Sequence, residues 1–233
     1  MRGPHVHALA LAAAVAAGII ASCAHSEKPA SAAAPAEKTP STPPHEGDAL
    51  RVLLFGDYGR ATPQRVAVTA AMAAAHRADP FHLAFMLGDN IYDCGPDDNL
   101  AEKPCSFTDD NNTVRPNYVP PMDPLFDIHF ERPLAALTAF RRLPFYAALG
   151  NHDVGHAARC VLAGGWQSAE VARAKACLEV AHRSPHWRMP GRHYVVDERS
   201  ARFIVFDSNF LTVRDYGGFT FDAELEFLQT AIQ

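Results

Sequence analysis

Arg51-Val-Leu-Leu-Phe-Gly-Asp-Tyr-Gly59 and His82-Leu-Ala-Phe-Met-Leu-Gly-Asp-Asn90 decide the fold, because they write one pattern twice. Each is a short apolar run closed by glycine and then aspartate, and such runs read as strands buried in a sheet. Between them, Thr62-Pro63 supplies an N-cap followed by proline at the first helical position. The helix predicted from there reaches about Ala78, because Pro80 forbids its continuation. Strand, helix and strand make a βαβ unit, which implies a parallel pair joined by a right-handed crossover. Phe145-Tyr-Ala-Ala-Leu149 repeats the pattern a third time and ends in Gly150-Asn-His-Asp153.

Outward from this frame, a helix is expected near Pro124 to Arg142, interrupted at Pro133, and another from Ala169 to Ala181. Tyr194–Val196 and Arg202–Phe206 read as two strands of a hairpin. Asp222 is the expected N-cap of a last helix, with Glu224 and Glu226 in its first turns, where the helix dipole favours negative charge. Asp93 to Pro121 is a long polar loop, and long loops in small domains are often functional.

The chain has 233 residues and a formal charge of -5. That length suits one domain with an additional leader or tail. The acidic balance argues against a nucleic-acid groove, which needs a basic face. Twelve histidines raise the expectation of metal chemistry only slightly. Arg2 and the apolar run Ala8 to Ile20 have the shape of an export signal, too short to span a bilayer. Ile20-Ala-Ser-Cys23 resembles the lipobox of bacterial lipoproteins, which implies export and a lipid anchor at Cys23 as the only membrane contact. Ordinary signal cleavage is the alternative. Residues 24–49 are rich in Ala, Pro and Ser and read as a flexible tether; the folded domain is expected over 50–233. Cys94, Cys105, Cys160 and Cys177 suit two disulfides in an oxidising compartment. Three pairings are possible, and the local ones, Cys94 with Cys105 and Cys160 with Cys177, are favoured.

The three glycine-terminated strands carry the chemistry. In parallel sheets the carboxyl ends of strands open onto one crevice, so Asp57, Asp89-Asn90 and Asn151-His152-Asp153 should converge. Two ionised carboxylates forced together repel unless a cation lies between them. Oxygen donors of this kind suit hard or borderline metals such as Fe, Mn or Zn. One Gly-Asp pair alone is a common turn; three turns of glycine and a polar ligand-type residue at successive strand ends, the third spelling Gly150-Asn-His-Asp153, point to a metal site.

Gly56-Asp-Tyr-Gly59, Gly88-Asp-Asn-Ile-Tyr92 and Gly150-Asn-His-Asp153 resemble the first three of five motifs of the calcineurin-like metallophosphoesterases. Tyr92, three residues after Asp89, is similar to the purple (tartrate-resistant) acid phosphatase branch. The resemblance implies an α/β fold, a sandwich of two mixed sheets flanked by helices. It implies hydrolysis of small phosphate monoesters at two metal ions, Fe(III) with Fe(II), Zn(II) or Mn(II). Asp57, Asp89, Tyr92 and Asn151 would be metal ligands, with Asp89 bridging. His152 would protonate the leaving group, and Asp153 would orient His152. Asn90 would support the site from behind.

The family's last two motifs, a histidine at a Val-x-x-His-like strand end and a Gly-His-x-His pair, are not found. Four of seven implied ligands are present. The stretch His186-Trp-Arg-Met-Pro-Gly-Arg-His193 resembles the family's substrate side, so His186 and His193 are candidates to face the cleft. Asp207 and Asn209 either support the site or form a turn. The ending at Gln233, within an expected helix, implies an N-terminal portion of such an enzyme, from a truncated or interrupted frame, with compromised activity. A non-catalytic exported lipoprotein keeping a partial site, and a phosphodiesterase of the same superfamily, are the alternatives.

Overall fold

The structure, a computed structural model, describes residues 19–22, 49–139, 143–158, 160, 168–211 and 218–233. It is a mixed α/β fold. Strands β2 (Val52–Phe55), β3 (Leu83–Met86), β4 (Phe145–Ala147) and β5 (Trp187–Arg188) form a parallel sheet in that order. Strands β6 (Tyr194–Glu198) and β7 (Ala201–Val205) form an antiparallel hairpin. Instead of two mixed sheets, the described strands make one parallel and one antiparallel sheet.

The βαβ unit forms as its local sequence dictates. Helix α1 (Pro63–Ala78) starts at Thr62, whose side chain accepts from Arg65 N at 3.1 Å. Its buried positions Thr69, Met72, Ala73 and His76 follow the spacing of one helix face. The next helix departs from expectation. Helix α2 (Pro124–Phe126) runs through a π-turn, Asp127–Glu131, into α3 (Arg132–Thr138). Pro133 lacks the N–H that a regular ladder needs, and the wider turn lies immediately before it. Residues 140–142, the expected end of this helix, lie outside the described residues.

Strand β4 displays the layering through alternate side chains. Phe145 meets Phe130 on the helix side, ring centroids 5.5 Å apart, while Tyr146 meets Tyr194 of the hairpin at 6.3 Å. Phe85 of β3 packs on Phe203 of β7 at 4.8 Å. The hairpin therefore covers β3 and β4, and β2 is left at the edge. By pairing only with β3, β2 is an edge strand among the described residues, and with Leu54 52% exposed it is not the fully buried one its composition suggests.

Helix α4 (Ala169–Ala181) has the bounds the sequence reading expects, and Ser168, which that reading does not name, caps it. The last helix, α5 (Phe221–Ala231), is capped by Thr220; Asp222 lies in its first turn and is not the cap. Strand β1 (Ile19–Ser22) pairs antiparallel with β7, Ile19 opposite Val205. The expectation had residues 1–23 outside the fold. An apolar β-branched segment satisfies the open edge of β7, as any such strand would. Cys23 and the tether, apart from Ala49, lie outside the described residues. Among those described, no helix is long and apolar enough to cross a membrane.

The disulfides differ from the favoured local pairs: Cys94 joins Cys160 and Cys105 joins Cys177. Both tie the long loop after β3 to segments more than 60 residues away. They are compatible with an exported protein.

Candidate functional site

Because β2, β3 and β4 are parallel, their carboxyl ends lie side by side. Asp57 N donates to Gly88 O at 3.2 Å and Gly59 N to Asp89 O at 3.0 Å, stitching the first two turns together. Asp57 and Asp89 both adopt left-handed backbone conformations, with φ 56° and 58°. Such values are uncommon outside glycine, and surrounding structure must hold them. Gly150 is required by close approach: a Cβ there would lie 2.2 Å from Asp89 Oδ1.

Three oxygen groups meet at this point. Tyr92 Oη lies 2.6 Å from Asp57 Oδ1 and 3.1 Å from Asp89 Oδ2. One phenolic proton serves two carboxylates. Burial, above all, holds the Asp89 carboxyl above the usual range. Burial and the neighbouring Asp57 and Asp89 carboxylates push the Tyr92 phenol well up. The donor set is all oxygen and crowded, which fits a hard cation. Arg60, whose guanidinium lies 4.9 Å from the Tyr92 ring centroid, is bonded to Asp93 at 3.2 Å. Asp57 and Tyr92 line a cleft of about 350 Å³ together with Arg60, Thr62 and Arg65.

Among the described residues, no three His, Cys, Asp or Glu side chains gather as a metal-binding group. The Asp57–Tyr92–Asp89 cluster offers two carboxylates and a phenol, enough to fit one cation. Asn151, the fourth implied ligand, is exposed and lies between Gly150 and His152, which both touch Asp89.

His152 is placed at the site from both ends. Its N–H donates to Asp89 Oδ1 at 3.1 Å, and its ring lies 3.9 Å from that of Tyr92, centroid to centroid. Its Nδ1 is 2.5 Å from the Asp93 carbonyl. A carbonyl only accepts, so Nδ1 carries a proton, and Nε2 is the atom left to exchange one. The resemblance implies this orienting task for Asp153. Asp153 is instead fully buried, with Oδ1 accepting from Asn90 N and Ile91 N, each at 2.8 Å. Its Oδ2 accepts from Gly150 N at 2.8 Å and Asn90 Nδ2 at 3.1 Å. Asp153 is a clamp between the second and third turns, out of reach of a substrate. Burial, then the Asp89 charge, raises its carboxyl to about 7.

Asn90 is fully buried behind the site, donating to Ala148 O at 2.8 Å as well as to Asp153. Asn209 Nδ2 reaches Gly150 O at 3.3 Å, and Asp207 accepts from Arg192 Nη1 at 3.1 Å. Asp207 and Asn209 thus tie the end of β7 to the third turn. His193 joins that ion cluster, 3.1 Å from Glu224 Oε1, and stacks on Phe227. His186 is displaced from the site. Its carbonyl accepts from Phe145 N at 2.9 Å, which puts it at the amino end of the parallel sheet, opposite the three turns.

Sequence reasoning missed Asp93, whose carbonyl orients His152, and the Cys94–Cys160 bridge, which joins the Tyr92 loop to the segment following His152. No local pattern marks either one. No protein-family model matches the chain, and no curated protein matches it.

Proposed function

We propose that this chain binds a hard metal cation through Asp57, Asp89, Tyr92 and Asn151 and belongs to the metallophosphoesterases, acting on phosphate monoesters in the manner of purple acid phosphatases. The single observation that carries this reading is the Asp57–Tyr92–Asp89 oxygen cluster at the ends of adjacent parallel strands. Tyr92 favours the monoesterase over a phosphodiesterase. An Fe(III) ion with Fe(II), Zn(II) or Mn(II) would supply acidified water and neutralise charge on a phosphoryl group. The chain's own residues bind and orient. Asp89 and Asp57 supply the negative charge that selects a cation. His152 presents Nε2 outward and gives its proton to the leaving oxygen. Asp153, buried, keeps the turns in register.

Among the described residues three oxygen groups meet, enough for one cation and not for the two-metal chemistry, which supports a second reading, an exported lipoprotein that holds a cation or phosphate without turnover. Calorimetric titration with Mn²⁺ and hydrolysis of p-nitrophenyl phosphate separate the two. The first reading expects binding and slow turnover, both lost in Asp89→Ala. Binding without turnover selects the second. An Asp89→Ala variant that binds as tightly as the parent removes both.

A further inference from the structure

The cleft beside the oxygen cluster carries two cations that neither reading uses. Asp57 and Tyr92 line one part of it, and Arg60, Thr62, Arg65 and Val68 line the space beyond them. Its volume of about 350 Å³ is that of a site for a small organic molecule. A phosphoryl group held at Asp57 and Tyr92 leaves most of that space to the remainder of an ester. Folding by itself gives little return for either guanidinium. Arg65 is the third residue of α1, whose first turn holds no acid, and the helix dipole disfavours a cation there. Arg65 Nη1 bonds the carbonyl of Gly59 at 3.2 Å, which fixes the guanidinium beside the first turn without neutralising it. Arg60 bonds Asp93 at 3.2 Å, but the two side chains are 42% and 46% exposed, and a pair so exposed to water contributes little. Residues that break a local rule in this way gather at functional sites. Two like charges lining one cleft repel, and an oxyanion in it offsets that repulsion while accepting from planar guanidinium forks.

We infer that Arg60 and Arg65 form a subsite for a second anionic group of the substrate, so that the chain selects phosphate monoesters whose esterified part carries a carboxylate or a further phosphate. The cation site takes the phosphoryl group, and the guanidinium pair takes the other oxyanion. Val68 gives the carbon chain between the two groups an apolar contact. The inference rests on the proposed phosphomonoesterase reading for what is held at Asp57, Asp89 and Tyr92; the guanidinium subsite itself needs no metal.

The test uses phosphonates, which imitate the ester but are not hydrolysed. Methylphosphonate has one anionic group, 3-phosphonopropionate adds a carboxylate, and propane-1,3-diphosphonate adds a second phosphonate. Each is titrated by calorimetry into the full chain, with Mn²⁺ and without it. At least one of the two larger probes is expected to bind the parent at least about tenfold more tightly than methylphosphonate, the scale of one charge-assisted hydrogen bond. The tighter of the two tells whether the second group is a carboxylate or a phosphate. That preference should shrink in Arg60→Gln and in Arg65→Gln and vanish in the double variant. The guanidinium resonances of Arg60 and Arg65 should move with the preferred probe and stay in place with methylphosphonate. Equal affinity of the parent for all three probes overturns the inference, and so does a preference that survives in the double variant. If Arg65→Gln does not fold, Arg60→Gln and the resonances of the parent decide. Absent Mn²⁺ binding in the parent counts against the metal site alone, because the preference is then read in the metal-free chain.

Discussion

Gly150, Tyr92 and Asp89 each do something at the residue scale that a neighbouring amino acid could not. A methyl group on Gly150 would collide with Asp89 Oδ1 at 2.2 Å and with the Asp89 backbone nitrogen at 2.3 Å. Gly150→Ala is expected to cost about 1–3 kcal/mol, as overpacking does, and to abolish Mn²⁺ binding; chemical denaturation and calorimetry check both. Tyr92 offers a phenolate to iron only after losing its proton from between two carboxylates. Iron-loaded parent protein should therefore show a visible tyrosinate-to-iron band that Tyr92→Phe lacks. An iron-loaded, colourless parent would remove Tyr92 from the ligand set.

Elements are where distant parts of the chain are made to depend on one another. The Cys94–Cys160 bridge closes a loop across a sequence separation of 66 and joins the segments that carry Tyr92 and His152. Replacing both cysteines by serine should destabilise the fold by about 4 kcal/mol on the loop-entropy scale, read from the shift in the denaturant midpoint. His182, at the end of α4, stacks on Phe126 of α2 with ring centroids 3.7 Å apart. Burial, with Arg183 nearby, pushes its imidazole down to about 4. The unfolded chain, with an ordinary imidazole near 6.5, takes up the proton first. The stability that depends on neutral His182 is complete above about pH 6.5 and is lost as the pH falls toward 4. His182→Phe should therefore lose less stability than the parent across that window in matched urea titrations.

At the scale of the whole molecule, a helical layer, a parallel sheet and a hairpin sheet are stacked so that three turns share one end. The strand ends, α1 with its Thr62 cap and the α4 boundaries were legible in the sequence, because short apolar runs, caps and proline act within a few residues. The edge position of β2 was not, since it depends on the order in which the strands pair across the sheet. The short strand β5 was hidden because two residues, Trp187 and Arg188, make no pattern. In the site, the convergence of Asp57 and Asp89 was readable from the glycine-terminated strand ends, whereas Tyr92, which meets both, entered only through the resemblance. The placing of His186 at the far end of the sheet was not, because proximity in a resembling stretch says nothing about which end of β5 it occupies.

What the sequence by itself determined is local: glycine followed by a polar group at three strand ends, a helix that begins at Thr62 and stops before Pro80, and four cysteines able to form two bridges. Only the tertiary structure decided which cysteines pair, that Asp93 and not Asp153 orients His152, and that Glu179 reaches Asn90. Those outcomes require residues 59 or more positions apart to be brought together. Backbone propensity acts over a few residues and carries no information about such pairs; the packing of the sheet and of α4 supplies it.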